Sequence, residues 1–235
     1  MLQVFIFALF LGLLPLAVLS QDTSLREVKQ AFDSANVSIH AQFSSKYASL
    51  NVFVFSLQIP EDIDLPFDPR FLLEVSLPQT SGSAIILKAG VHLHRNATVG
   101  PPSFTLVGLD TRDGPFVVAA VDPDAPTPQD PTNAQVRHFL GGNFEPSRLS
   151  RGRATSILTN TTAAVSDWRQ PTPPAGSDAH RYVFLVFNQP RGFNSQTLVD
   201  ATTPITLFNI SEFGAAVGLG NPIAGTFMLV APDPA

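Results

Sequence analysis

A succession of short apolar runs, each cut off by turn residues, sets what this chain can become. From about residue 70 onward FLLEVSL, SAIILKAGVHLH, SFTLVGL, PFVVAAV, HRYVFLVF and GTFMLV follow one another, separated by Gly, Pro and Asp. Branched and aromatic side chains suit a pleated surface, and glycine and proline end it. The spacing predicts a mainly β fold, an antiparallel sheet or β-sandwich with a few peripheral helices. The first helix is marked by the capping box Ser24-Leu-Arg-Glu27, after which Leu25, Val28, Phe32 and Ala35 recur at helical spacing. A second is expected from Ser211 to Val217.

With 235 residues, 44% of them hydrophobic and only 14% charged, the chain can bury one full core, so a single domain over 21–235 is expected. A formal net charge of −5 argues against a nucleic-acid partner, because phosphates along a strand need a basic face. The local run Arg148, Arg151, Arg153 reads as a solvated loop. There is no cysteine, so packing alone must hold the fold.

Residues 1–20, an apolar stretch ending in small residues, read as a signal peptide cleaved before Gln21. Nothing downstream resembles a stop-transfer segment, and the terminal APDPA is unlike a lipid-anchor tail, so a secreted protein without a transmembrane anchor is expected. Four glycosylation acceptors, Asn36, Asn96, Asn160 and Asn209, agree with that compartment. Residues 37–58 fit neither neighbour: the apolar NVFVFSL has no partner pattern. We read them as a retained intron or inserted segment. Val37-Ser38 can be encoded by GTAAGT, a splice donor, and Gln58 by CAG, an acceptor.

The chemistry concentrates in three segments. Val121-Asp-Pro-Asp-Ala-Pro126 follows an apolar strand, and its prolines stiffen the backbone that carries Asp122 and Asp124. His138 opens HFLGGN, and His180 and Tyr182 stand two apart at the start of a strand, hence on one face. Imidazoles and a tyrosine hydroxyl can donate to phosphate oxygens, while a carboxylate can orient a histidine tautomer or receive an ammonium group.

DPDAP, HFLGGN and PPAGSDAHRYVFLVFNQ in this order, with FTLVGLD before and PIAGTF after, resemble the phosphatidylethanolamine-binding protein family. The resemblance covers roughly 59 to 235. Removing 37–58 would also join SLREVKQAFDSAN to IPEDIDLPFDPRFLLEVSLP, similar to the family's opening. It implies a large antiparallel sheet packed on a smaller one, with a pocket at one end where Asp122, His138 and Tyr182 contact a phosphate-like group. His180, Ala125 and Pro126 would shape the wall, and a sharp turn would make Ala125–Pro126 cis. Departures fall near the pocket: Thr172 and Asp178 replace usual glycines, and Val136 and Arg137 precede the pocket histidine in place of an aromatic and a polar residue.

The expected function is a non-enzymatic binding protein without cofactor, taking a phospholipid headgroup or another phosphate-containing small molecule. Inhibition of a serine carboxypeptidase is the alternative. A metal-dependent β-barrel enzyme using His92 and His94 is a weaker one, since no glutamate follows at ligand spacing. The chain contains neither GxSxG nor HExxH.

Overall fold

The structure, a computed structural model, describes residues 21–35, 58–108, 114–147 and 155–234. The leader at 1–20, the acceptor Asn36, the basic run at 148–153 and all of the odd segment but Gln58 lie outside these residues. No helix among the described residues is long and apolar enough to cross a membrane.

The elements in chain order are α1 (Leu25–Asp33), α2 (Ile59–Asp62), β1 (Leu72–Leu77), β2 (Ile85–Ile86), β3 (Val91–Leu93), β4 (Ser103–Val107), β5 (Phe116–Asp122), β6 (Val136–Pro146), β7 (Thr155–Asn160), β8 (His180–Asn188), α3 (Ile210–Val217) and β9 (Ala224–Val230). The mainly β architecture is as the sequence suggests, but a two-sheet sandwich is not what forms. One nine-stranded sheet runs in the order β2-β1-β4-β7-β6-β5-β8-β9-β3. It curls far enough for β1 to pack against β9, which is not its neighbour in the sheet. Each face of the curl has its own core, and this is why the apolar pattern imitates two packed sheets.

The alternation along the central strands shows the division. Val117, Ala119 and Val121 of β5 and Val183, Leu185 and Phe187 of β8 face the helices, meeting Val28 and Phe32 of α1 and Ile59 of α2. Val118 and Ala120, with Tyr182, Phe184 and Val186, point into the curl, against Val75, Phe104 and Met228. β5 is buried along its whole length, so both of its faces read as apolar. Gly225 of β9 has no room for a side chain: a Cβ there would lie 2.9 Å from the Phe184 carbonyl and 2.9 Å from the Phe67 ring.

Helix α1 is held by packing more than by its cap. Ser24 occupies the N-cap position in extended backbone, but its side chain makes no capping hydrogen bond. Phe32 is fully buried, stacked on Phe67 at 3.8 Å and edge-on to Phe227 at 5.2 Å. In α3 the capping is real: Asn209 accepts from the Glu212 amide, and Gly218 closes the far end in the left-handed region.

Candidate functional site

Antiparallel pairing brings the end of β5 and the starts of β6 and β8 together. Val121 pairs with Val183 on one side and with Arg137 on the other, so the residues flanking these pairs gather at one end of the sheet. A cavity of about 540 Å³ opens there, lined by Asp122, Ala125, Pro126, His138, His180 and Tyr182, with Trp168, Arg169 and Thr172 on its far wall. The residues that the sequence singled out for a ligand thus meet in one concavity, with the exception of Asp124. The Ala125–Pro126 bond is cis.

His138 reaches the cavity through a bulge. Ala120 pairs with Phe139 and Val121 with Arg137, so one residue of β6, His138, is extra. At such a bulge two successive side chains can share a face. Phe139 packs inside the curl while His138 lines the cavity beyond it, and Arg137 takes the opposite face. The imidazole is then oriented by the 166–169 segment: its Nδ1 donates to the Arg169 carbonyl at 2.8 Å, and the Arg169 amide donates back to the His138 carbonyl at 2.9 Å. A carbonyl only accepts, so Nδ1 carries the proton and Nε2 faces Asp122 at 4.0 Å. Burial lowers the His138 pKa below its ordinary 6.5, against the opposing pull of the Arg169 carbonyl and Asp122.

His180 behaves in the opposite way. Its Nδ1 lies 2.8 Å from the Asp122 carboxylate, and its Nε2 is near Ser177 Oγ at 2.9 Å and the Pro126 carbonyl at 3.2 Å. Ser177 spends its own proton on the Asp178 carbonyl. Both ring nitrogens therefore face acceptors, which suits an imidazolium. Burial opposes that charge, but Asp122, Asp124 and the Pro126 carbonyl outweigh it and raise the pKa. Tyr182 lines the same cavity as Asp122 and Thr172. Burial first, and then the two aspartates, push its pKa upward, so the hydroxyl stays a donor. Its ring is edge-on to His138 at 4.9 Å.

Asp124 does not line the cavity. Its carboxylate accepts from the Arg181 amide at 2.7 Å, from Nε at 2.9 Å and from Nη2 at 2.5 Å. Arg181 also pairs with Asp62 at 2.7 Å and donates to the Ala35 carbonyl at 3.1 Å. This buried ion network ties the β5–β6 turn to β8, α2 and the end of α1. Sequence reasoning missed it, and it missed Trp168 and Arg169 in the wall; the Arg that follows the strand-opening His180 was the available signal.

His92 and His94 sit on and after the edge strand β3, both exposed, away from this cavity. No group of three or more His, Asp or Glu among the described residues is placed to hold a metal. Of the acceptors, Asn96 is exposed and Asn160 half-buried, its side chain accepting from the Thr162 amide; Asn209 serves as the α3 cap.

The curled sheet with its terminal pocket of two histidines, a tyrosine and an aspartate defines a class, and the comparisons agree. The profile of the phosphatidylethanolamine-binding protein family matches residues 76–228. The chain belongs to that family. It is 29% identical over 165 residues to the protein BROTHER of FT and TFL 1 of Arabidopsis thaliana, across 68% of this chain and 80% of that one. A shorter match, 48% over 65 residues, links it to the phomoidride biosynthesis cluster protein N of Fungal sp. (strain ATCC 74256), but spans only 26% of this chain and 29% of that protein. Among solved structures, the carboxypeptidase Y inhibitor in complex with its cognate proteinase shares the fold with a TM-score of 0.60 at 21% identity, covering 74% of this chain and 91% of that one.

Proposed function

We propose that this protein binds phosphate-containing small molecules, phospholipid headgroups among them, in the cavity between Asp122, His138, His180 and Tyr182. The observation that carries the reading is a buried pocket floor that sets the Asp122 carboxylate beside the His180 imidazole, whose pKa is raised, with the exposed Arg169 guanidinium on the wall. Such a floor accepts a zwitterion, its phosphate toward His138 and Arg169 and its ammonium toward Asp122. In the same proposal residues 1–20 direct secretion, and Asn96 and Asn160 carry glycan.

Titration calorimetry with phosphorylethanolamine and with inorganic phosphate tests this. Saturable binding of at least one is expected, weakened about tenfold or more by His138→Ala and unchanged by His92→Ala. Equal effects of the two substitutions would remove the pocket from the account. The fold likeness to a peptidase inhibitor adds a second arm: inhibition of a serine carboxypeptidase without any phosphate binding would favour that reading.

A further inference from the structure

Among the described residues two arginines are buried to the last percent, and they are treated very differently. Arg181 has the carboxylates of Asp124 and Asp62. Arg137 forms no ion pair among the described residues. Its Nη2 donates to the Thr203 carbonyl at 2.9 Å and its Nη1 to the Pro204 carbonyl at 3.3 Å, while Nε has no partner. The guanidinium lies over the Phe208 ring at 5.1 Å. Neutral partners of this kind soften the loss of water without supplying a counter-charge, and a buried cation lacking one is among the costliest features a fold can carry.

The missing anion has a place to sit. Arg137 lines a cavity of about 440 Å³ between the 198–208 segment and α3, on the opposite face of β6 from the His138 pocket. Leu198, Val199, Leu207, Phe208 and Phe213 give it an apolar wall. Leu198 and Leu207 are 56% and 70% exposed, and Leu207 is held at a positive φ of 57°. Two acids are near. Asp200 spends one carboxylate oxygen on Thr202 and Thr203, and Glu212 stands exposed at the start of α3. A single negative charge at Arg137 is therefore favoured over two.

We propose that this groove is a second ligand site, for a monoanionic amphiphile: a carboxylate seated at Arg137 with an unbranched apolar chain along Leu198, Leu207 and Phe213. It adjoins the His138 pocket at Thr206, which lines both cavities, but does not depend on the reading given to that pocket. Octanoate is the probe. The full chain is expected to bind it saturably by calorimetry, undiminished by excess inorganic phosphate and by His138→Ala. Octylammonium, with the same chain and the opposite charge, is expected not to bind. Arg137→Met should abolish the signal, but it also removes the contacts that hold the 203–204 backbone. Leu198→Glu, at an exposed position, is the cleaner variant and should weaken octanoate about tenfold or more. Absence of saturable octanoate binding, equal binding of octylammonium, or an unaltered affinity in Leu198→Glu would overturn the assignment.

Discussion

Asp122 and Asp124 are separated by a single proline, yet one ends β5 and the other lies in the turn beyond it, and they meet different cations, His180 and Arg181. Asp124 is the structural one. Removing it as Asp124→Ala takes from buried Arg181 the carboxylate that accepts from its amide, Nε and Nη2, and losing one partner of a buried pair costs about 3–5 kcal/mol. Chemical denaturation of the variant should show a loss on that order. Asp122 sets the titration of His180 instead. The folded pKa of His180 is raised, so the pair contributes stability that is fully present below the unfolded value near 6.5 and is lost as pH rises through the folded value. In Asp122→Asn this alkaline loss should vanish, as read by melting temperature across pH 5.5 to 8.5. Residue types and order made Asp122, His138, His180 and Tyr182 visible in the sequence. Asp124 was visible as a carboxylate but not as an ion-pair partner, because its cation lies 57 positions away and only strand pairing brings them together.

The strands that were legible are those written as apolar runs between turn residues, FLLEVSL, SFTLVGL and GTFMLV among them, which became β1, β4 and β9. PFVVAAV and HRYVFLVF became β5 and β8, the two most buried strands, while β6 and β7 escaped notice. Strand β6 carries Arg137, His138, two glycines and Asn143, which blur any period of two, and its bulge breaks the period outright. The run SAIILKAGVHLH looked like one strand and is two short ones at opposite edges of the sheet, β2 on β1 and β3 on β9. Helices α1 and α2 share one core, Phe32 beside Ile59 and Ile63, although the odd segment separates them in sequence. We propose that 37–58 is a retained intron or an inserted segment; of it, Gln58 lies among the described residues and caps α2 through its carbonyl, which accepts from the Glu61 and Asp62 amides. Spliced transcripts are expected to join the codons of Asn36 and Ile59; transcripts that all keep the intervening codons would end the proposal. Phe32→Ala, by contrast, should cost about 3–5 kcal/mol by cavity formation, measurable as a lowered denaturation midpoint.

At the scale of the molecule, one curled sheet carries two grooves back to back across β6, with His138 opening to one and Arg137 to the other. No periodicity announces such an arrangement, since curling and bulging are properties of paired strands and not of any one run. The pocket at the sheet's end also holds two histidines biased in opposite directions, and this shapes how binding should follow pH. His180 is already biased toward its charged form and gains little as the solution becomes acidic. His138 is biased toward neutrality, with a bare Nε2 that cannot donate to an anion until it takes a proton. An anion seated beside it favours that proton, so by linkage phosphate affinity must rise as pH falls. Because burial has moved the His138 pKa below 6.5, the rise should continue beneath that value instead of levelling off there. Calorimetry with inorganic phosphate from pH 7.5 to 5.5 is expected to show this increase. In His138→Gln, which is polar but does not titrate in this range, the increase should be lost, leaving only the slope that phosphate's own second ionisation, which falls inside this window, supplies. A response that survives intact in His138→Gln would assign the pH dependence to His180 and reverse the roles given to the two imidazoles.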